Sequence, residues 1–277
     1  MSLVISSWCW HAAYHAGQLS LLHIPMEAQR LGFTQVELND FMLPPPRLSR
    51  LRRPLLAALG APPSLWRYSA ATFAQLAQAS ARIVSWTLDT DFTVGARQWA
   101  WQKRYLVAGF HAARLLKASV VRITLGGAET LPQSVDTLAA ARLAEAVRLL
   151  APFTVAVENH WGLSTDYARL LRILKRSQER LSEQEAARLG VCFDPGNAPL
   201  ENCDAAWPAL ARAANHVHFK TRAFTAEGDE HHWPYARIFA WLKQFGFLGY
   251  FVLEYEGEEQ VERGVQKSRL LFERYQV

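Results

Sequence analysis

TVAVENHWG (154–162), LGVCFDPGN (189–197), NHVHFKTR (215–222) and YFVLEYEG (250–257) share one design. Each opens as an apolar run and closes on groups that can bind a cation: Glu158, Asp194, His218 and Glu254. Apolar strands separated by helix-length segments argue for parallel β/α units, because such strands are covered on both faces and lose the alternation of a half-exposed strand. In a closed parallel barrel, side chains at the carboxyl ends of the strands converge on one mouth, where the chemistry sits. Four ligand-type residues arriving from four successive strands therefore place one site at one end of one barrel.

Working outward, the first half of the chain supplies the missing strands. LVISSWCW (3–10) reads as strand one. A helix over about 20–31 ends at Gly32, which suits a C-terminal cap. TQVELND (34–40) is strand two, with Glu37 in its terminal half. FMLPPPRLSRLRRPLL (41–56) reads as a surface excursion before a helix at 64–80. RIVSWTLDT (82–90) and SVVRITLGG (119–127) are strands three and four, with helices over 96–117 and 135–150 after them. Further helices fall at about 164–180, 205–214, 234–245 and 258–275. Eight strands alternate with about eight helices without a linker or a break in composition. The reading is an α/β protein, a (β/α)8 TIM barrel forming a single domain over 1–277. The longest connection, 222–233 after strand seven, carries Asp229, His231 and His232.

Composition agrees. The chain has 277 residues, against roughly 250 for such a barrel, and can bury a core without disulfides or a structural metal. It is 50% hydrophobic and 20% charged, ordinary for a globular protein. Cys9, Cys192 and Cys203 show no CxxC spacing and no disulfide framework, which points to a reducing cytoplasm. The amino terminus lacks a basic leader region, and no apolar run has membrane-spanning length. A net charge of +5 would suit an anionic partner. However, the basic residues are spread over RLSRLRR (47–53) and RILKRSQER (172–180), which read as solvated helix faces, so nucleic acid is not the expected partner. The ten tryptophans read as helix-to-barrel packing and pocket wall.

Each candidate ligand alone has an ordinary explanation. Glu158, with Asn159 and His160 beside it, would serve as a salt-bridged strand end. Asp194 precedes Pro195 and Gly196 and suits a turn. His216 and His218 are two apart, so both lie on one strand face, with His218 nearer the mouth. Glu254 follows apolar neighbours, where a carboxylate without a partner is costly. A single divalent cation accounts for all four positions. Two Glu, one Asp and one His make a hard, oxygen-rich set suited to Mg²⁺, Mn²⁺ or Co²⁺, with Zn²⁺ also compatible.

VELND after strand two, VENHWG, FDPGN, HVHFK and LEYEG, in this order, resemble the xylose-isomerase-like barrel superfamily, specifically its sugar phosphate isomerase/epimerase branch. The resemblance runs from strand one to strand eight. It implies one divalent cation on Glu158, Asp194, His218 and Glu254, and a small carbohydrate substrate. It also implies that Glu158 and Glu254 act as acid and base on opposite faces of that substrate. A cation that polarises a ketone acidifies the neighbouring C–H. One carboxylate removes the proton to give an enediolate, and the other returns it from the opposite face or at the adjacent carbon. Asn159, His160, Asn197, Lys220 and Arg222 are the expected substrate contacts, with Glu37 either a further hydroxyl ligand or a structural salt bridge. The family's ketose epimerases carry His where this chain has Asn197, an Arg at a spacing Arg222 does not match, and often an Asp where Thr221 stands. The substrate is therefore left open.

Three other functions compete. A dehydratase of a cyclic polyol or of dehydroshikimate shares the first proton removal. The sister endonucleases that cut abasic DNA have an Asp-x-His resembling Asp229-Glu230-His231, but they need histidines after the early strands, and TLDTDF and LGGAET contain none. A non-catalytic barrel would not need four charged groups at one mouth. Gly126-Gly127 could present amides to a phosphate or form a plain turn. The 96–117 helix could serve a homo-oligomer interface or pack on the barrel.

Overall fold

The computed structural model describes residues 2–44, 58, 60–198 and 203–276. Its centre is a closed barrel of eight parallel strands in sequence order. These are β1 (Ser2–Ser6), β2 (Gln35–Asn39), β3 (Arg82–Leu88), β4 (Val120–Ile123), β5 (Thr154–Glu158), β6 (Leu189–Phe193), β7 (Ala214–Thr221) and β8 (Tyr250–Tyr255). β8 closes on β1 through Ser2↔Tyr250 to Ile5↔Leu253. The outer layer includes α1 (His11–His15), α2 (Ile24–Arg30), α3 (Ala70–Leu76), α4 (Ala96–Leu115) and α5 (Val135–Leu149). It continues with α6 (Tyr167–Gln178), α7 (Glu183–Ala186), α8 (Cys203–Ala213), α9 (Tyr235–Gln244) and α10 (Val261–Tyr275).

The strands were legible because one side of each packs against helices. Ile5, Val36, Leu38, Trp86, Val121, Val157, Phe193, Phe219 and Leu253 belong to one large cluster with helix side chains such as Tyr105, Leu143, Ile173 and Leu271. Each large apolar side chain fully buried there contributes roughly 1.5–3 kcal/mol. The residues between them point into the barrel. At its lower end they are small and apolar: Val4, Val84 and Val252 form one cluster and Val120, Ala156 and Cys192 another, both against Tyr250. Toward the carboxyl ends the interior turns polar, with Ser6, Glu37, Ser85, Thr87, Glu158, His216 and His218 all buried. That polar upper layer carries the site.

Several boundaries differ from expectation. β1 stops at Ser6, not at Trp10, because the Ser6 hydroxyl accepts from Trp8 N and caps a 3-10 turn over Ser7–Trp10. The helix expected from residue 20 begins at Ile24 after a 3-10 turn capped by Ser20, and Gly32 takes φ +78° just past its end. α4 buries Trp99, Tyr105, Leu106, Gly109, Ala112 and Ala113, so that face packs on the barrel. Gly126 and Gly127 have φ of +68° and +76°, and a side chain at Gly162 would collide with their carbonyls, so they form a tight turn against the β5 loop. The basic segment RLSRLRR (47–53) lies outside the described residues. Among the described residues no helix is long and apolar enough to cross a membrane. Cys9, Cys192 and Cys203 are free thiols.

Candidate metal centre

β5 to β8 deliver Glu158, Asp194, His218 and Glu254 to the same end of the barrel, and all four are buried. Nδ1 of His218 lies 3.1 Å from Glu158 Oε1, 3.5 Å from Glu254 Oε2 and 3.9 Å from Asp194 Oδ2. Its other nitrogen, Nε2, lies 3.1 Å from Glu37 Oε1. With its ring proton on Nε2, that N–H donates to Glu37 and the Nδ1 lone pair faces three carboxylates. That arrangement is repulsive unless a positive charge sits among them, either a cation or the ring's own second proton, since against burial the neighbouring carboxylates raise the imidazole well above its usual value. A metal-bound histidine commonly donates its second N–H to a carboxylate, as here. Donor atoms of Glu158, Asp194 and His218, and of Glu37, His218 and Glu254, fall within 4.8 Å of one another. Three carboxylates with one imidazole fit a hard divalent cation. Cys192, His216 and His218 also group within that distance, but burial pushes the Cys192 thiol up to about 12.

The carboxylates are not equivalent. Burial favours the neutral form of each. At Glu158 burial is the largest single influence, but the Arg122 guanidinium together with His218 and His160 overcomes it and holds the carboxyl well below the usual range. At Asp194, Lys220, with Nζ 2.9 Å from Oδ2, and His218 together overcome burial and lower the carboxyl. Glu254 has weaker compensation from His218 and Lys220, and burial pushes it up to about 7.

A cavity of about 320 Å³ opens beside this cluster. Glu158, Glu254, His160, Asn197, Lys220 and Arg222 line it, as do Trp8, Asn39, Phe41, Asp89, Arg122 and Glu256. Asn197 donates to Glu158 Oε1 at 3.1 Å and Asp194 Oδ2 at 2.9 Å, so its amide ties two candidate ligands together. His160 reaches the cavity with Nδ1 buried and unpartnered. Arg222 pairs with Glu256, which also accepts from Trp8 Nε1 at 2.7 Å.

Two expected substrate contacts lie elsewhere. Glu37 is beneath the mouth, fully buried, accepting from Ser85 Oγ at 2.7 Å and facing His216 and His218 at 2.9 and 3.1 Å. Its partners are two histidines and a serine, and it does not line the cavity. Asn159 is spent on the backbone of Asp194, donating to its carbonyl and accepting from its N–H. It fixes the turn that presents Asp194.

Arg122, Glu256, Asn39, Trp8, Phe41 and Asp89 line the cavity and escaped the sequence reading. Arg122 sits inside the apolar run VVRIT, where a buried charge was itself the signal. Glu256 follows Glu254 at a two-residue spacing, hence on the same strand face. Asn39 and Trp8 carried no signal beyond position. The loop after β7 is held from within. Glu230 accepts from the backbone N–H of Arg222, Ala223, His232 and Trp233, and Asp229 pairs with Arg274 and Tyr275. The Asp229-Glu230-His231 look-alike thus holds its own loop and does not line the cavity.

Residues 26–275 match the family described as xylose isomerase-like TIM barrel. No curated protein is a significant sequence match. Similar solved structures include D-psicose 3-epimerase from Clostridium cellulolyticum H10, crystallised with D-tagatose, at 10% identity and TM-score 0.70 over 100% of this chain and 99% of that one. The probable 3-DHS dehydratase AsbF of petrobactin synthesis from Bacillus anthracis is similar at 14% identity and TM-score 0.66 over 98% of both chains. The IOLI protein with a bound zinc atom is similar at 12% identity and TM-score 0.65, over 100% and 98% of the two chains. At these identities the likeness is one of fold.

Proposed function

The chain belongs to the xylose isomerase-like TIM-barrel family, and from that premise we propose that it is a divalent-cation-dependent isomerase or epimerase of a small sugar or sugar phosphate. One observation carries the reading: three buried carboxylates from β5, β6 and β8 surround Nδ1 of a β7 histidine at the edge of a cavity of about 320 Å³. Glu158, Asp194, His218 and Glu254 would hold the cation, which when bound supplies Lewis-acid polarisation of a carbonyl and its neighbouring hydroxyl. Glu158 and Glu254, both lining the cavity on strands either side of His218, exchange the proton of the carbon between those oxygens. The carbon-bound proton passes to one carboxylate, the electron pair remains on the substrate as an enediolate, and a proton returns from the other carboxylate or at the adjacent carbon. His160, Lys220 and Arg222 orient hydroxyls.

The test is elemental analysis of the purified protein beside a Glu254→Gln variant, followed by solvent-deuterium incorporation into ketoses and inososes. About one divalent cation per chain, lost or weakened in the variant, with deuterium entering a carbonyl sugar, is the expected result. Formation of a conjugated carbonyl product with loss of water moves the assignment to a dehydratase. Two or three zinc ions per chain move it toward the nuclease branch. No cation after reconstitution with Mn²⁺, Co²⁺, Mg²⁺ and Zn²⁺ overturns the reading and favours a non-catalytic barrel.

A further inference from the structure

Arg122 on β4 is a buried cation in the half of the mouth that carries no cation ligand, and it lines the cavity at 5% exposure. Its fork is braced at both ends: Nη1 donates to Asp89 Oδ1 at 3.2 Å and Nη2 to Asn39 Oδ1 at 3.1 Å. Asn39 is itself immobilised, accepting from Thr87 Oγ1 at 2.7 Å and donating through Nδ2 to Ser7 Oγ at 2.9 Å and Ser6 Oγ at 3.4 Å. The bracing aims Nε at Glu158 Oε2, 3.2 Å away. That contact is an ion pair without hydrogen-bond alignment, since both atoms are buried and neither has a hydrogen-bond partner.

Glu158 therefore presents two different oxygens. Oε1 lies 3.1 Å from His218 Nδ1 and accepts from Asn197 Nδ2 at 3.1 Å. Oε2 is buried against Arg122, which offsets its charge, and carries no donor. An ordinary buried Arg–Glu pair gives little net stability over an apolar replacement, so stability alone does not account for placing one here. The guanidinium is rigid and planar, which makes it suited to setting a geometry. The network also reaches the second acid–base carboxylate: Ser6 Oγ, which accepts from Asn39, lies in donor range of Glu254 Oε1 at 3.3 Å.

We propose that Arg122, braced by Asp89 and Asn39, is a positioning residue that pins Glu158 through its buried Oε2 and so fixes the rotamer in which the carboxylate meets His218 and the cavity. In the step it serves, the substrate C–H bond breaks, its proton goes to the Glu158 carboxylate, and the electron pair remains on the carbonyl system. This proposal rests on the isomerase or epimerase reading, so its test carries a readout that does not depend on turnover.

The experiment compares the full-length protein with Arg122→Gln, Arg122→Lys and Asp89→Asn, using Co²⁺ visible spectra, Mn²⁺ binding and deuterium exchange. Arg122→Gln is expected to keep stoichiometric Mn²⁺ binding but shift the Co²⁺ spectrum, because Glu158 is freed to turn. Its exchange kcat should fall about 10–100-fold with KM little changed, the usual cost of removing a partner that orients a site residue. Arg122→Lys and Asp89→Asn should show the same defect in smaller measure, which keeps the test readable if Arg122→Gln fails to fold. A Co²⁺ spectrum identical to wild type overturns the proposal even if no substrate is turned over, and that second result separately sinks the isomerase reading. A loss confined to KM overturns it in favour of a substrate anchor. A loss of cation binding as complete as in Glu158→Gln overturns it in favour of a structural role.

Discussion

On β5–β8 the strand ends carry Glu158, Asp194, His218, Lys220 and Glu254, while at the corresponding depth β1–β4 carry Ser6, Glu37, Asn39, Ser85, Thr87 and Arg122. The first half concentrates charge around one imidazole nitrogen. The second is mostly neutral hydrogen-bonding groups whose partners are one another, with two charged members that face the first half: Glu37 toward His218 and Arg122 toward Glu158. The contrast teaches a division of labour. Groups that exchange protons or hold a cation must be costly to bury, and groups that orient them need only be rigid and satisfied.

The largest effect is expected where the first half is cut. Asp194 accepts from Gly196 N, Asn197 Nδ2 and Lys220 Nζ and faces His218, so Asp194→Asn keeps much of the hydrogen bonding but removes the charge. Stoichiometric cation binding should be lost while the thermal transition remains cooperative. Titration with Mn²⁺ monitored by calorimetry checks this. Unchanged affinity in the variant would remove Asp194 from the ligand set and break the contrast at its strongest point.

Asp40, just beyond β2, shows what burial does to a carboxylate without a cation beside it. Burial pushes it up to about 7, against the hydrogen bonds of Tyr105 and Tyr68 at 2.5 and 2.9 Å. The unfolded chain releases that proton near pH 3.9, at about the model-peptide value. The folded state therefore binds more protons between these values, and the stability from this group is present below about pH 4 and lost as pH rises through about 7. Asp40→Asn should flatten the stability profile between pH 4 and pH 7 by on the order of 3 kcal/mol, read from denaturant titrations at several pH values. A variant whose profile parallels wild type would show that the tyrosines keep Asp40 ionised throughout.

How much of this was legible follows from the same contrast. The four β5–β8 residues could be read because a carboxylate or imidazole closing an apolar run is unusual and costly, and because four such closings share one cause. The orienting half could not be read so easily. Ser6, Asn39, Ser85 and Thr87 are ordinary at strand ends, and their meaning lies in partners 32 to 48 residues away. From sequence, Glu37 stays between a hydroxyl ligand and a structural ion pair, because a strand position does not show whether a carboxylate faces the cavity or two histidines from the far side of the barrel. Asn159 failed for a similar reason: adjacency to Glu158 suggested the mouth, whereas period-two geometry sends it toward the β6 backbone. Arg122 was the one loud signal passed over. The fold itself needed none of this, since it rests on helix-facing apolar residues that recur in every strand.

Glu37 offers the mildest and most discriminating cut. It touches no cavity; its two oxygens serve His216, Ser85 and the Nε2 side of His218. Glu37→Gln can still accept from one histidine through its amide oxygen. His216 can meet the amide N–H by changing tautomer, since its Nδ1 is at present without a partner. The fold should therefore survive. What is lost is the carboxylate that favours the ring proton of His218 on Nε2 and leaves the Nδ1 lone pair for a cation. Removal of such a partner costs about 10–100-fold in cation affinity, or about 1.4–2.7 kcal/mol. Mn²⁺ titration of the variant should show that loss with unchanged stoichiometry. Because Glu37 also favours the protonated ring of His218, whose proton competes with the cation, the loss should be smallest at low pH and fullest once His218 is neutral in both proteins. An affinity equal to wild type at every pH would mean that packing alone aims His218. The β1–β4 half would then be scaffold, with no part in tuning the site.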